Sequence, residues 1–198
     1  DIARRPNATQ VRNSNAWALA ADVKAFGGAA EILPVAPDEL DATRELIEYG
    51  LGADLLLISG GVSAGDYDFV ETALGQLEAE FYFDRVLIQP GQPTVFGRAR
   101  GRFFFGLPGN PLSTWVTFRV FARAAMERLA GAAETKPFLV EAPLAAAYRH
   151  KPGLTRFLPG WRREDGSVEI LPLQGSADIP ALARANAIVV VDEGREAW

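Results

Sequence analysis

The sequence predicts an α/β fold: a three-layer α/β/α domain with a mainly parallel sheet, followed by a small all-β domain. Three observations carry this. Before residue 136, apolar runs of strand length alternate with amphipathic helical stretches, the pattern of strands joined by helical crossovers. One run, Leu55 to Ile58 after Asp54, is continuously apolar, as a parallel strand covered on both faces is. From residue 136 onward the texture changes to short strands and turns. The break falls in Gly131-Ala-Ala-Glu-Thr-Lys-Pro137, a Gly-then-Pro helix stop, and divides the chain into residues 1–135 and 136–198.

The elements follow in order. Ser14 or Asn15 can cap a helix running to about Phe26, which Gly27-Gly28 ends. Glu31 to Val35 reads as a strand. Asp38 caps a second helix through about Tyr49, and Gly50 stops it. The Leu55–Ile58 strand is followed by a short amphipathic helix over 69–77, then a strand over 81–88. Two further strands, 94–96 and 102–105, meet at Arg100-Gly101. Asn110 followed by Pro111 is an N-cap with proline at the first helical position, and that helix should reach about Leu129. Its Trp115, Phe118 and Phe121 stripe reads as core or dimer surface. In the second region 138–142, 155–158, 168–171 and 188–191 read as strands, with Asp165-Gly166 as a hairpin turn, so a small β barrel or sandwich is expected.

Composition removes several function classes. The 198 residues are 48 % hydrophobic and 23 % charged, an ordinary globular balance. No apolar run approaches the roughly 18 residues of a membrane helix. Without cysteine there is no disulfide framework, thiolate zinc site or Cys nucleophile. The single histidine, His150, excludes paired-His chemistry and, lying between Arg149 and Lys151, is expected at the solvated surface. Acid–base work therefore falls to carboxylates, hydroxyls, amines or metal-bound water. The net charge is −5, with the acidic surplus wholly before residue 136 and only Lys24, Lys136 and Lys151 as lysines, which speaks against nucleic-acid binding. The chain begins at Asp1 without a methionine or signal-peptide pattern, so it reads as a piece of a longer protein.

Open α/β sheets bind ligands at the carboxyl ends of their strands. Two such ends are glycine-rich here: Ser59-Gly-Gly-Val-Ser-Ala-Gly-Asp-Tyr-Asp68 and Gly106-Leu-Pro-Gly-Asn-Pro-Leu-Ser113. Glycines let backbone N–H groups approach a ligand, and both loops open a helix whose positive end favours an anion. The hydroxyls of Ser59 and Ser63 and the carboxylates of Asp66 and Asp68 share the first loop. Carboxylates beside an anion site make sense where a hard divalent cation bridges them to phosphate oxygens. The residues thus point to a phosphate- or oxyanion-bearing ligand with Mg²⁺. Either loop alone serves equally well as a tight turn, and Asp66, Asp68 or Asn110 as a helix cap; two such loops in one sheet favour a site. A third segment, Gln89-Pro-Gly-Gln-Pro93, is a rigid turn after a strand.

These three segments, in this order and spacing, resemble the molybdopterin-binding domain of the molybdopterin molybdenumtransferase family (MoeA, and the E domain of gephyrin). Gln10-Val-Arg-Asn-Ser-Asn15 is similar to the family segment before the first helix, and Gly175-Ser-Ala-Asp-Ile-Pro-Ala-Leu-Ala-Arg-Ala-Asn186 with Ile188–Val191 and Glu193-Gly194 to its C-terminal β domain. The resemblance covers nearly the whole chain. It implies the MogA/MoaB-like fold for the first domain. It implies an enzyme that inserts molybdate into adenylylated molybdopterin with Mg²⁺ and releases AMP. Its setting is a cytoplasmic homodimer of four-domain chains with a MogA-like partner. Two of the four domains are present here, so half of the inter-subunit cleft lies elsewhere and the 198 residues alone are expected to be inert. By resemblance, Asp66 and Asp68 are the catalytic and metal-contacting carboxylates. Ser14, Asn15, Ser59, Gly60, Gly61, Ser63, Gln89, Gln92, Pro108, Gly109, Asn110 and Ser113 line the ligand pocket.

Three departures from the family pattern stand out. The family turn reads Lys-Pro-Gly-Lys-Pro, whereas Gln89 and Gln92 hydrogen-bond without charge. Loss of two charged hydrogen bonds weakens the hold on an anion by roughly tenfold to a hundredfold or more. Asn13 stands where an Asp is common, and the first strand with its Thr-Gly-Asp-Glu-like turn is missing or cut at Asp1. Arg12, Arg85 and Arg98 are candidates for compensating charge. Two rival readings are a non-catalytic molybdopterin-binding paralogue or scaffold and, more weakly, a MogA-like molybdopterin adenylyltransferase.

Overall fold

The computed structural model describes residues 5–7, 10–61, 69–137 and 139–198. Helix α1 (Asn15–Ala25) follows Ser14, whose side chain makes no capping bond; Asn13 Oδ1 instead accepts from the Ala16 N–H at 3.2 Å. Gly27, at φ 84°, ends the helix, with Gly27 N–H bonded to the Lys24 carbonyl and Gly28 N–H to that of Val23. This is a Schellman closure, which requires a left-handed residue where only glycine sits without strain.

Strands β1 (Leu55–Ser59), β2 (Glu80–Phe83), β4 (Val95–Ala99) and β5 (Arg102–Leu107) form one sheet in the order β1-β5-β4-β2. It is a mixed sheet: β1 and β5 are parallel, while β4 runs antiparallel to both β5 and β2. The β4–β5 hairpin turns at Arg100 and Gly101, φ 48° and 81°, the two left-handed residues a tight hairpin needs. Side chains alternate across the sheet. Phe104 joins Ile47, Leu51 and Leu74 beneath α2 (Leu40–Gly50) and α3 (Phe69–Gln76). Phe105 and Leu107 join Leu19 of α1 and Phe118 on the opposite face. The three-layer α/β/α expectation holds.

The last layer is a helical rod: α4 (Pro111–Thr117), a π-helical turn Phe118–Ala122, and α5 (Arg123–Leu129). It ends where the sequence predicts. In the turn, Arg119 pairs with Asp22 of α1 through Nη2 at 2.6 Å and Nε at 3.3 Å, and its guanidinium lies 4.6 Å from the Trp115 ring.

Two expected strands differ. Residues 31–35 form no ladder; Ile32 is 39 % and Val35 72 % exposed. In the described residues β1 has β5 on one edge and no strand on the other, so nothing pairs with this stretch. The single strand expected over 81–88 is two. A register shift at Phe81/Phe83 loosens β2, Val86 N–H then bonds to the Gln92 carbonyl, and β3 (Ile88–Gln89) enters a different sheet.

That second sheet has the order β3-β6-β7, with β8 also on β6. Strand β6 (Thr155–Arg162) is antiparallel to β7 (Val168–Ile170) and β8 (Ala187–Val191), and parallel to β3. Of the strand expected over 138–142, Phe138 lies outside the described residues, and 139–142 is unpaired with Leu139 and Val140 exposed. One short helix, α6 (Ile179–Arg184), interrupts the β pattern, capped by Asp178, whose Oδ1 accepts from Ala181 N–H at 3.0 Å. His150 is buried, not solvated. The Arg149–Ala197 bridge folds it inward, Tyr148 stacks on it, and Arg156 Nε donates to its Nδ1 at 3.1 Å.

Candidate functional site

Because β1 and β5 are parallel neighbours, with Ser59 opposite Leu107, their two glycine-rich loops leave the sheet side by side. Gly60 N–H bonds to the Leu107 carbonyl at 2.9 Å, continuing the ladder one step beyond the strands. Gly60 and Gly61 then turn at φ 84° and 69°. A Cβ on Gly109 would sit 3.5 Å from Gly60 Cα, so the loops touch backbone to backbone.

The start of α1 reaches the same place. Asn15 Nδ2 donates to Ser59 Oγ at 2.8 Å and to the Gly109 carbonyl at 2.7 Å. The second loop is further fixed by Thr114, whose hydroxyl donates to the Pro108 carbonyl and, at 3.1 Å, to that of Asn110. Ser113 is buried on the first turn of α4. Leu112 N–H, one of the helix-start amides open to an anion, is spent on the Ser176 carbonyl at 3.0 Å. Asp178 organises that Ser176 turn. Its Oδ2 accepts from Gln174 N–H at 3.1 Å, and this bond, with the one from Ala181, holds its carboxyl below the usual carboxylate range.

The structure therefore brings Asn15, Ser59, Gly60 and Gly109 together, with Ser14, Gly61, Pro108, Asn110 and Ser113 adjoining them in the chain. Gln89 and Gln92 belong to a turn placed elsewhere on α4. A Cβ on Gly91 would collide with Thr117 Cγ2, about 10 Å along the helix axis from Asn110. Ser63, Asp66 and Asp68 lie outside the described residues. Among the described residues no group of three His, Asp or Glu side chains is placed to hold a metal ion, and no helix is long and apolar enough to cross a membrane. Sequence reasoning missed the Ser176 contact. The motif containing Ser176 was visible, but a carbonyl's partner carries no side-chain signature.

Next to the site a cavity of about 1490 Å³ opens between β1, α1, α2 and the unpaired 28–38 stretch, lined by Leu33, Ile47 and Leu57 among others.

Residues 4–128 match the family described as "Probable molybdopterin binding domain", and 141–197 match "MoeA C-terminal region (domain IV)". A molybdopterin molybdenumtransferase of Staphylococcus epidermidis is 29 % identical over 189 residues, 93 % of this chain and 45 % of that protein. One from Staphylococcus aureus is 28 % identical over the same shares. Among solved structures, a molybdopterin biosynthesis MoeA protein of Pyrococcus horikosii is similar with TM-score 0.78 at 26 % identity, over 98 % of this chain and 48 % of that one. A molybdenum cofactor biosynthesis protein of Pyrococcus furiosus gives 0.73 at 26 %, over 93 % and 60 %. The chain spans about half the length of the curated relatives it matches.

Proposed function

The chain belongs to the molybdopterin-binding-domain family, and on that premise we propose that it is the pterin-holding half of a molybdopterin molybdenumtransferase. In this reading the longer protein inserts molybdate into adenylylated molybdopterin and AMP leaves. The observation that carries it is the meeting of Asn15, Ser59 and Gly109 at the carboxyl ends of two adjacent parallel strands, where an α/β sheet receives its ligand. Backbone amides and the Ser59 hydroxyl face the oxygen-rich part of the ligand, with Gly61 and Asn110 beside them. Asp66 and Asp68 are hard oxygen donors at the far end of the first loop, the donor chemistry that Mg²⁺ prefers. Mg²⁺ there would neutralise phosphate charge. The setting is a cytoplasmic homodimer, supplied with adenylylated pterin by a MogA-like enzyme.

The same reading divides the chain into units 1–135 and 136–198 and places one more strand, from upstream polypeptide, on the open edge of β1. A five-residue strand within a layered sheet fills about 800 Å³, and the cavity beside β1 holds about 1490 Å³. Helix α1 starts at the carboxyl end of β1, where a strand parallel to β1 would deliver the chain.

The full-length protein, given adenylylated molybdopterin, molybdate and Mg²⁺, should release AMP; absence of AMP sinks the transferase reading. Gln89 and Gln92 favour a second reading, a molybdopterin-binding protein without the transfer step. Replacing both by lysine should tighten molybdopterin binding by roughly tenfold or more at low salt, and an unchanged affinity would mean that other groups supply the charge.

A further inference from the structure

One side chain in the site hydrogen-bonds to both strand-end loops and belongs to neither. Asn15 is half-buried at the first position of α1, and its amide nitrogen reaches Ser59 Oγ at 2.8 Å and the Gly109 carbonyl at 2.7 Å. Helix capping does not explain it, because Asn13 already accepts from the Ala16 N–H. A carboxamide nitrogen carries two hydrogens, and both partners are oxygens, so both hydrogens are committed to donation. Ser59 Oγ therefore acts as acceptor on the Asn15 side, and its own hydrogen is directed elsewhere. Aspartate has the same shape but brings only acceptors when ionised: it cannot bond the Gly109 carbonyl, and it would draw the Ser59 hydrogen onto itself.

We propose that Asn15 is the positioning residue of this site. It pins the β1 and β5 loops to one another and turns the Ser59 hydroxyl into a donor aimed at an anionic, oxygen-bearing ligand. The identity of that ligand rests on the molybdopterin reading above; the pinning does not. Apart from Asn15, the two strand ends are joined by main chain, through the Gly60 N–H bond to the Leu107 carbonyl, and the Gly60–Gly109 approach beyond it supplies contact without direction. Asn15 supplies the direction.

The test uses the 198-residue chain with Asn15→Ala, the isosteric Asn15→Asp, Ser59→Ala and the Asn15→Ala/Ser59→Ala double variant. Without ligand, amide hydrogen exchange is followed at Gly60, whose N–H closes onto Leu107. Exchange there should speed by about tenfold or more in both Asn15 variants, with the β4–β5 amides unchanged. Unchanged Gly60 exchange in the folded Asp variant overturns the proposal. With molybdopterin, followed by pterin fluorescence, each single Ala variant should bind about tenfold or more weakly, and the double variant no more weakly than the worse single one. Residues acting through one another are not additive. Losses that multiply, or an unaffected affinity, overturn the positioning role. If the unmodified chain fails to bind molybdopterin, the ligand reading fails, and Gly60 exchange alone decides whether Asn15 pins the loops.

Discussion

Strand β5 and the stretch Glu31–Val35 are both strand-like in sequence and flank the same β1, yet one is the centre of the core and the other lies open. Phe104 and Leu107 are fully buried. Ile32 and Val35 face solvent. The difference is neighbours. β5 has hydrogen-bonding strands on both edges and helices on both faces, whereas 31–35 borders a cavity. Apolar composition earns a strand its place only when both the ladder and the covering layers exist.

The contrast can be broken most sharply by Phe104→Ala, which should cost about 3–5 kcal/mol in chemical denaturation, while Ile32→Ala should cost less than about 0.5. Similar losses at both positions would mean that the open side is packed. Next, lengthening the chain with the upstream strand that the proposed function places on β1 should protect the β1 amides from exchange and add about 2 kcal/mol or more, the value of roughly 100 Å² of newly buried apolar surface. Ile32→Ala should then become costly. A lengthened protein with unprotected β1 amides would leave the cleft unfilled. On the closed side, Asp22→Ala removes the Arg119 pair between α1 and the helical rod; a loss of about 1–2 kcal/mol is expected, since the arginine stays partly solvated. The smallest effect belongs to Asp178→Ala. Its carboxyl titrates lower folded than unfolded, so its stabilisation is present above about pH 4 and is lost as the pH falls through the lower folded value. The Tm gap between the two proteins should therefore be widest near neutral pH and close in strong acid.

Much of this was legible in the residues. Asn110-Pro111 marked the start of the helical rod, Arg100-Gly101 marked the hairpin, and the glycine loops marked the site, because each uses backbone conformations that few residue types satisfy. What the sequence hid depends on distant partners. Nothing in Phe81 to Ile88 tells that Ile88, with Gln89 after it, pairs with β6, because that ladder is backbone to backbone. His150 read as a surface residue from its charged neighbours, but the Arg149–Ala197 bridge lies 48 residues away in sequence. In the site, Asn15 was legible as a pocket residue and not as a donor to two loops, since its partners are a hydroxyl and a carbonyl far along the chain.

The turn from Gln89 to Pro93 has a consequence for how such proteins diverge. Ile88 and Gln89 join β6 through their main chain, and Gln92 closes the turn onto Val86 through its carbonyl. The fold thus asks these positions for peptide groups and leaves their side chains unassigned. Lineages can exchange a cation for an amide at 89 and 92 and keep the same joint between the two sheets. In the proposed function, ligand affinity at this turn is then free to drift over generations while the architecture stays put.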